Sequence, residues 1–179
     1  FIKHSDLLDS HSKKIKAVNC LALKPKNKGS NTDWKGYFNS LPKNKNLKEH
    51  NIILIGYGGA ALAIHYLLKK KGCKKVNIFN KTKRKIRYEK DTKYTIALNQ
   101  IKKYLPSSTL IINTTPVNPL NKNEINLVQR KAIISDIVYS PKQTNFLKKF
   151  PNNKKIYGIS MLIEQAIISF ELWFGFKPK

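Results

Sequence analysis

Apolar and polar positions change rhythm at residue 51. From there on, short continuous apolar runs alternate with stretches at helical spacing. The segment 51–56 (NIILIG) carries four apolar residues in a row, the pattern of a strand covered on both faces. Comparable runs recur at 75–80 (KVNIFN), 108–115 (STLIINTT), 132–139 (AIISDIVY) and, more briefly, 155–158 (KIYG). Between them the spacing predicts a helix from the glycine-rich turn to about Lys71, stopped by Gly72. It also predicts a helical stretch beyond the basic turn after Asn80, a short helix over 144–150 and a long terminal helix over 160–174. Strands alternating with helices imply parallel pairing through right-handed crossovers. The predicted class is α/β, a Rossmann-like doubly wound sheet.

Before residue 42 the pattern differs. Residues 6–16 suggest a short helix, 17–23 a strand, and 24–31, with Pro25 and Gly29, a turn. Asp33 stands at a helix start, with Trp34, Tyr37, Phe38 and Leu41 at helical spacing behind it and Pro42 as the stop. Residues 43–50 are a polar connector. The expected organisation is a leading piece over 1–42 that belongs to something else, which begins before Phe1, then a nucleotide-binding domain over 43–157 and a terminal helix over 158–179.

Composition narrows the function classes. Hydrophobic residues at 41% are enough for a real core, so the net charge of +25 does not imply disorder. A charge of that size can mark a nucleic-acid binder. Of the 35 basic residues, however, only Arg84, Arg87 and Arg130 are arginine, and the lysines are scattered over the whole chain. Dedicated phosphate readers favour the planar guanidinium fork. Lysine, asparagine and isoleucine together are what AT-rich codons encode, so we read the charge as compositional drift and expect no specific nucleic-acid partner. Two cysteines, Cys20 and Cys73, in unrelated segments make no disulfide framework and suit a reducing cytoplasm. No signal peptide is visible, and Glu164, Gln165 and Glu171 break the apolar stretch near the C-terminus, which argues against a membrane span. His4, His11, His50 and His65 show neither metal spacing nor a nucleophile partner, so no metal is expected.

The chemistry-bearing signal is the turn Gly56-Tyr57-Gly58-Gly59-Ala60-Ala61. It fits G-x-G-x-x-A between a strand and a helix. The first glycine permits the tight turn, the second lets a pyrophosphate approach the backbone, and the small third residue lets helix and strand pack closely. The helix start then offers free N–H groups to the phosphates. The next strand ends at Asn80, followed by Lys81-Thr82-Lys83-Arg84-Lys85. An NAD site would carry Asp or Glu there for the ribose hydroxyls. Cations in place of that acid suit a 2′-phosphate, hence NADP, although a solvated basic loop is the plainer alternative.

Several segments, in order, resemble shikimate dehydrogenases. Ala17-Val18-Asn19-Cys20 is similar to A-V-N-T, and Asn31-Thr32-Asp33-Trp34-Lys35-Gly36 to N-T-D-G-x-G. The glycine turn resembles G-A-G-G-A-A, Asn80-Lys81-Thr82 resembles N-R-T, and Asn113-Thr114-Thr115-Pro116 resembles N-T-T-P. Asp136-Ile137-Val138-Tyr139-Ser140-Pro141 with Thr144 resembles D-x-x-Y-x-P-x-x-T. The closing stretch from Gly158 through Met161 and Gln165 to Trp173 and Gly175 resembles the family's last motif. The resemblance implies NADPH-dependent, reversible reduction of 3-dehydroshikimate to shikimate in aromatic amino-acid (chorismate) biosynthesis. It implies that 1–42 is the end of an α/β substrate-binding domain, that the helix over 158–179 returns to that domain, and that the protein is a cytoplasmic monomer or homodimer. It implies that Asn19, Asp33, Tyr139 and Gln165 meet the substrate, with Asp33 also a partner in proton transfer. Gly56, Gly58, Gly59 and Ala60 would hold the pyrophosphate; Asn80, Lys81, Thr82 and Lys85 would face the 2′-phosphate; Thr114, Ile137, Gly158 and Met161 would line the nicotinamide side.

Each residue also has a plainer use. Asn19 could satisfy backbone at a strand end, Asp33 could be only a helix cap, and Tyr139 and Met161 could be core. Gln165 in an apolar helix is harder to explain that way, because a buried amide needs partners. Three departures from the family stand out. The serine-rich carboxylate site and the catalytic lysine are expected upstream of Phe1, and Lys3 lies too close to Asn19 to replace that lysine. Lys81 replaces an arginine, and Trp34 stands where the family has glycine and is expected to crowd the site. A non-catalytic NADP-binding fragment and, more remotely, a basic nucleic-acid binder stay open as alternatives.

Overall fold

A computed structural model describes residues 2–23, 25–42, 46–87 and 93–178. After a 3-10 turn at Ile2–His4 come β1 (Leu7–Leu8), α1 (Ser10–Ile15), β2 (Cys20–Ala22), β3 (Lys28–Ser30) and α2 (Asp33–Ser40). The glycine-turn unit follows with β4 (Ile52–Ile55), α3 (Gly59–Lys70), β5 (Val76–Asn80), β6 (Ile96–Ala97), β7 (Leu110–Asn113), α4 (Lys122–Ile125), β8 (Ile133–Asp136), α5 (Asn145–Lys148), β9 (Lys154–Tyr157) and α6 (Gly158–Phe174).

Strands β4 to β9 form one six-stranded sheet in the order β6-β5-β4-β7-β8-β9, with every pairing parallel. This is the doubly wound order, and the chain reverses its direction of travel across the sheet between β4 and β7. The crevice beyond the carboxyl ends of those two strands is where such sheets bind ligands. Alternate side chains of each strand fall on opposite faces. Ile52, Leu54, Ile78, Leu110, Ile112 and Ile133 join α2, α3 and α6 residues in one core, whereas Ile53, Ile55, Phe79, Ile111 and Ile134 join Ile101, Leu105, Phe146 and Leu147 in the other. Each fully buried Ile or Leu contributes roughly 1.5–3 kcal/mol. The two-sided burial explains why these strands read as continuous apolar runs.

Strands β1, β3 and β2 form a separate small sheet, with β1 parallel and β2 antiparallel to β3. Sequence patterning predicts a turn over 24–31, yet Lys28–Ser30 is the central strand of this sheet. Likewise the helix expected over 6–16 is shorter, because Leu7–Leu8 pairs with Lys28 and Gly29. These pairings are non-local, and two or three residues carry too little alternation to announce them. The helical stretch expected after Asn80 is also corrected: beyond the basic loop lie β6 and a 3-10 segment over Leu98–Lys103, and residues 88–92 of that stretch lie outside the described residues.

The two ends of the chain meet. Helix α6 packs along α2 and reaches β2, where the Trp173 indole N–H donates to the Leu21 carbonyl at 3.1 Å. Gly36 makes the close approach possible: a Cβ there would lie 2.6 Å from Gln165 Cβ. Helix α6 ends on Gly175, which adopts the left-handed φ of 81° suited to glycine after a helix.

Candidate active site

The glycine turn leaves β4 at Gly56, whose φ of +96° requires glycine. At Gly58 and Gly59 the situation differs. A Cβ at either position would meet nothing within 4 Å. Both are exposed at the start of α3. The protein's own packing therefore does not demand glycine there, whereas the close approach of a pyrophosphate would.

Asn80 ends β5, the neighbour of β4, and its amide donates to the Thr82 carbonyl at 2.9 Å and hydroxyl at 3.3 Å. This shapes the loop so that Lys81, Thr82 and Lys85 all stay exposed. Among the described residues of this loop, 80–87, there is no carboxylate. On the other side of β4, Thr114 follows β7 and donates its hydroxyl to the Ile55 carbonyl at 2.6 Å, tying the two strand ends together across the crevice. A cavity of about 430 Å³ opens there, lined by Thr114, Thr115, Pro116, Ile137 and Tyr139 among others.

The loop that carries Ile137 and Tyr139 is held by buried Asp136. Its carboxylate accepts from Thr144 at 2.6 Å, from the Val138 N–H at 3.2 Å and from Asn113 at 3.3 Å. Burial raises its carboxyl pKa, and these three bonds oppose the rise. The loop then packs on Gly158, where a Cβ would collide with the Ile137 backbone.

Ile137 and Tyr139 also line a second cavity, of about 310 Å³, with Asn19, Asp33, Ala60, Met161, Leu162 and Gln165. Residues from the leading piece, the glycine turn and the terminal helix thus share one wall. Asn19 lies just before β2, and its amide donates to Asp33 at 2.8 Å, Thr32 at 2.9 Å and Gln165 at 3.3 Å. Its own carbonyl accepts from the Thr32 N–H at 2.8 Å, so the backbone use and the site placement hold together. Asp33 is the first residue of α2; the cap is Thr32, with no side-chain cap bond, so Asp33 is not the capping residue. Burial pushes its carboxyl above the usual range, and the bond from Asn19 pulls it back. Tyr139 is 52% exposed and hence not core, whereas Met161 belongs both to the core and to the cavity wall.

Trp34 does not crowd this cavity. It turns toward α1 and α3, with its ring 4.6 Å from His11 and 5.9 Å from Tyr66 and with the Lys70 ammonium 4.9 Å from its centre. No lysine lines the cavity among the described residues. Two functional residues escaped the sequence reading. The Thr32 hydroxyl donates to the Gln165 carbonyl oxygen at 3.1 Å and lies 3.1 Å from the Ser169 hydroxyl, which donates to the Gln165 backbone carbonyl at 2.9 Å. Ser169 stands four residues after Gln165, so a polar pair on one face of an apolar helix was the available signal. Both cysteines are buried free thiols, and among the described residues no cluster of His, Cys, Asp or Glu could hold a metal. Among the same residues no helix is long and apolar enough to cross a membrane.

A dinucleotide cradle at the switch point of a doubly wound sheet, facing a half-buried carboxylate–amide cluster across one cavity, defines the class: a nicotinamide-dependent oxidoreductase. The comparisons narrow it. Residues 40–142 match the family described as Shikimate / quinate 5-dehydrogenase, and 158–179 match the Shikimate 5'-dehydrogenase C-terminal domain. The NADP(+)-type shikimate dehydrogenase of Bacillus subtilis is 34% identical over 189 residues, covering 97% of this chain and 68% of that one. The shikimate dehydrogenase structure from Aquifex aeolicus superposes with a TM-score of 0.81 at 30% identity, over 99% of this chain and 69% of that one. The Thermus thermophilus enzyme, solved with NADP(H) and shikimate, gives 0.77 at 25% identity over 99% and 70%. This chain belongs to the shikimate/quinate dehydrogenase family. Membership favours the dehydrogenase reading over that of a basic nucleic-acid binder.

Proposed function

We propose that this chain carries the NADP-binding domain and part of the substrate site of a cytoplasmic shikimate dehydrogenase, which reduces 3-dehydroshikimate reversibly with NADPH in aromatic amino-acid biosynthesis. The observation that carries the proposal is the shared cavity, in which Asn19, Asp33, Gln165 and Tyr139 face Ala60, Ile137 and Met161. The residues fit the dinucleotide. Gly56, Gly58, Gly59 and Ala60 offer backbone at a helix start, and Asn80, Lys81, Thr82 and Lys85 present cations and hydroxyl at the strand end where an acid would repel a 2′-phosphate. Thr114, Ile137, Gly158 and Met161 bound the space toward the substrate.

A dinucleotide held there would supply the hydride chemistry; the chain supplies orientation and handles the proton. Asn19, Gln165 and Tyr139 offer donors and acceptors for substrate hydroxyls. Asp33, held by Asn19, accepts or returns a proton at its carboxylate, and a carboxyl raised by burial is better matched to that exchange near neutral pH. Thr32 and Ser169 keep the Gln165 amide aimed into the site. A second reading, a chain that binds NADP without turnover, draws on the absence of any lysine from the described cavity wall.

Titration of intrinsic fluorescence with NADPH and NADH tests the cofactor assignment: NADPH binds and NADH binds much more weakly, and equal affinities overturn it. Shikimate-dependent NADP+ reduction is then assayed with this chain and with the chain extended by a segment that supplies the family's lysine. Low activity that rises by orders of magnitude on extension supports the dehydrogenase; no activity in either, with NADPH binding intact, selects the second reading.

A further inference from the structure

We propose that His11, Trp34 and Tyr66 form an acid-released latch, which holds α1 and the start of α2 against α3 while His11 is neutral and lets α1 loosen once His11 is protonated. The three side chains come from three helices. The His11 ring lies 4.6 Å from that of Trp34 and 5.7 Å from that of Tyr66, and Trp34 meets Tyr66 edge-on at 5.9 Å. His11 Nδ1 is 2.8 Å from the Tyr66 hydroxyl, a contact that joins residues 55 positions apart. Ile15 of α1 packs with Ala63 and Tyr66, and Trp34 lies against the same apolar cluster. Because Trp34 replaces the glycine of the family's motif, this cluster is not part of that motif.

A neutral imidazole with its proton on Nε2 accepts at Nδ1 from the tyrosine hydroxyl. Protonation makes Nδ1 a donor, and the hydroxyl of Tyr66, a residue only 8% exposed, must turn its own proton elsewhere. The new charge also lands among cations. Lys70 on α3, Lys14 on α1 and Lys35 on α2 act against it, whereas Asp9, the cap of α1, favours it. An indole face attracts a cation, but the Lys70 ammonium already stands 4.9 Å from the centre of the Trp34 ring. Partial burial first, and then Lys70, hold the His11 imidazole below its ordinary pKa of 6.5. In the unfolded chain His11 takes up its proton first as pH falls. The latch therefore contributes fully above 6.5, weakens below it and is lost as pH passes the folded value. Trp34 directly follows Asp33, so loosening reaches the turn of α2 that carries the carboxylate of the substrate cavity. Only this last consequence rests on the function proposed above; the latch stands or falls without it.

The test reads tryptophan emission and amide hydrogen exchange of this chain between about pH 7.5 and about pH 5. Trp34 and Trp173 are its two tryptophans, so Trp173→Phe leaves Trp34 as the reporter, and an imidazolium beside an indole quenches its emission. Emission is expected to fall in acid with a midpoint below 6.5. Exchange in α1, corrected for the intrinsic effect of pH, should quicken by about two- to tenfold relative to β4. His11→Asn keeps a neutral acceptor near the Nδ1 position and should abolish both transitions. Tyr66→Phe removes only the hydroxyl; its α1 should exchange fast already at the higher pH, so that acid quickens it less. The proposal is overturned if the emission change persists in His11→Asn, if α1 and β4 lose protection together, or if α1 of the parent exchanges equally at both pH values. Should His11→Asn fail to fold, Tyr66→Phe decides alone: a variant that matches the parent at both pH values overturns the latch.

Discussion

Gly58→Ala separates the demands of the fold from those of a ligand. The backbone at Gly58 has φ −89° and ψ −167°, an extended conformation open to any L residue. A Cβ there meets nothing within 4 Å. Alanine therefore enters without strain and reduces the freedom of the unfolded chain, which stabilises by about 0.4–1 kcal/mol. For a domain of this size that raises Tm by about 1–4 °C. Binding moves the other way. The new methyl occupies the space through which a pyrophosphate reaches the helix start, and each lost hydrogen bond to a charged oxygen costs about 1.5–3 kcal/mol. NADPH affinity is then expected to fall by about 10- to 150-fold. Thermal unfolding followed by circular dichroism gives the first quantity and fluorescence titration the second. A lower Tm with unchanged NADPH affinity would refute the reasoning, because Gly58 would then be a structural glycine and the turn no phosphate cradle.

Other substitutions probe neighbouring features. Gly36→Ala should cost about 1–3 kcal/mol by overpacking α2 against α6 and lower Tm by about 2–12 °C, since the new Cβ would lie 2.6 Å from Gln165 Cβ; an unchanged Tm would show that the helices part freely. Lys16→Gly should raise stability by about 0.5–1 kcal/mol, because φ 55° is strained for lysine and open to glycine; denaturant melts that show a loss would contradict this. Asp33→Asn tests this half-buried carboxylate through its pH dependence. Burial raises the folded-state pKa above the ordinary 3.8, so the group favours folding below that unfolded value and loses this contribution as pH rises through the folded one. The asparagine variant should melt higher than the parent at neutral pH, with the gap closing as pH falls toward 4, while turnover in an active, lysine-bearing form of the enzyme drops and NADPH affinity holds. A gap that widens in acid would mean the pKa is shifted the other way.

The sequence by itself determined the parallel sheet and its cofactor side. Strands β4 and β7 are buried on both faces, and seven of their eight residues are apolar, a density that survives reading in one dimension. Gly56, Gly58 and the acid-free end of β5 were legible for a related reason: each lies within a few residues of the element that positions it. The pattern marked Asp33 as a helix start and Gln165 as an amide within an apolar helix; the family resemblance added Asn19 and placed the three together. The tertiary structure decided the remainder. The small sheet β1-β3-β2 depends on pairs far apart in the chain, each too short to show a period. Trp34 was expected to crowd the substrate side and instead faces α1 and α3, because the direction of a side chain on a helix is set by what packs against that face. The cavity between α1 and the basic loop is lined by Lys14, Lys16, Arg84, Lys85 and Arg87, and the Arg87 guanidinium joins its two sides by donating to the Ile15 carbonyl, 72 positions away. In a chain with 35 basic residues scattered throughout, no local pattern could single out those five; only folding decides which like charges must share one space.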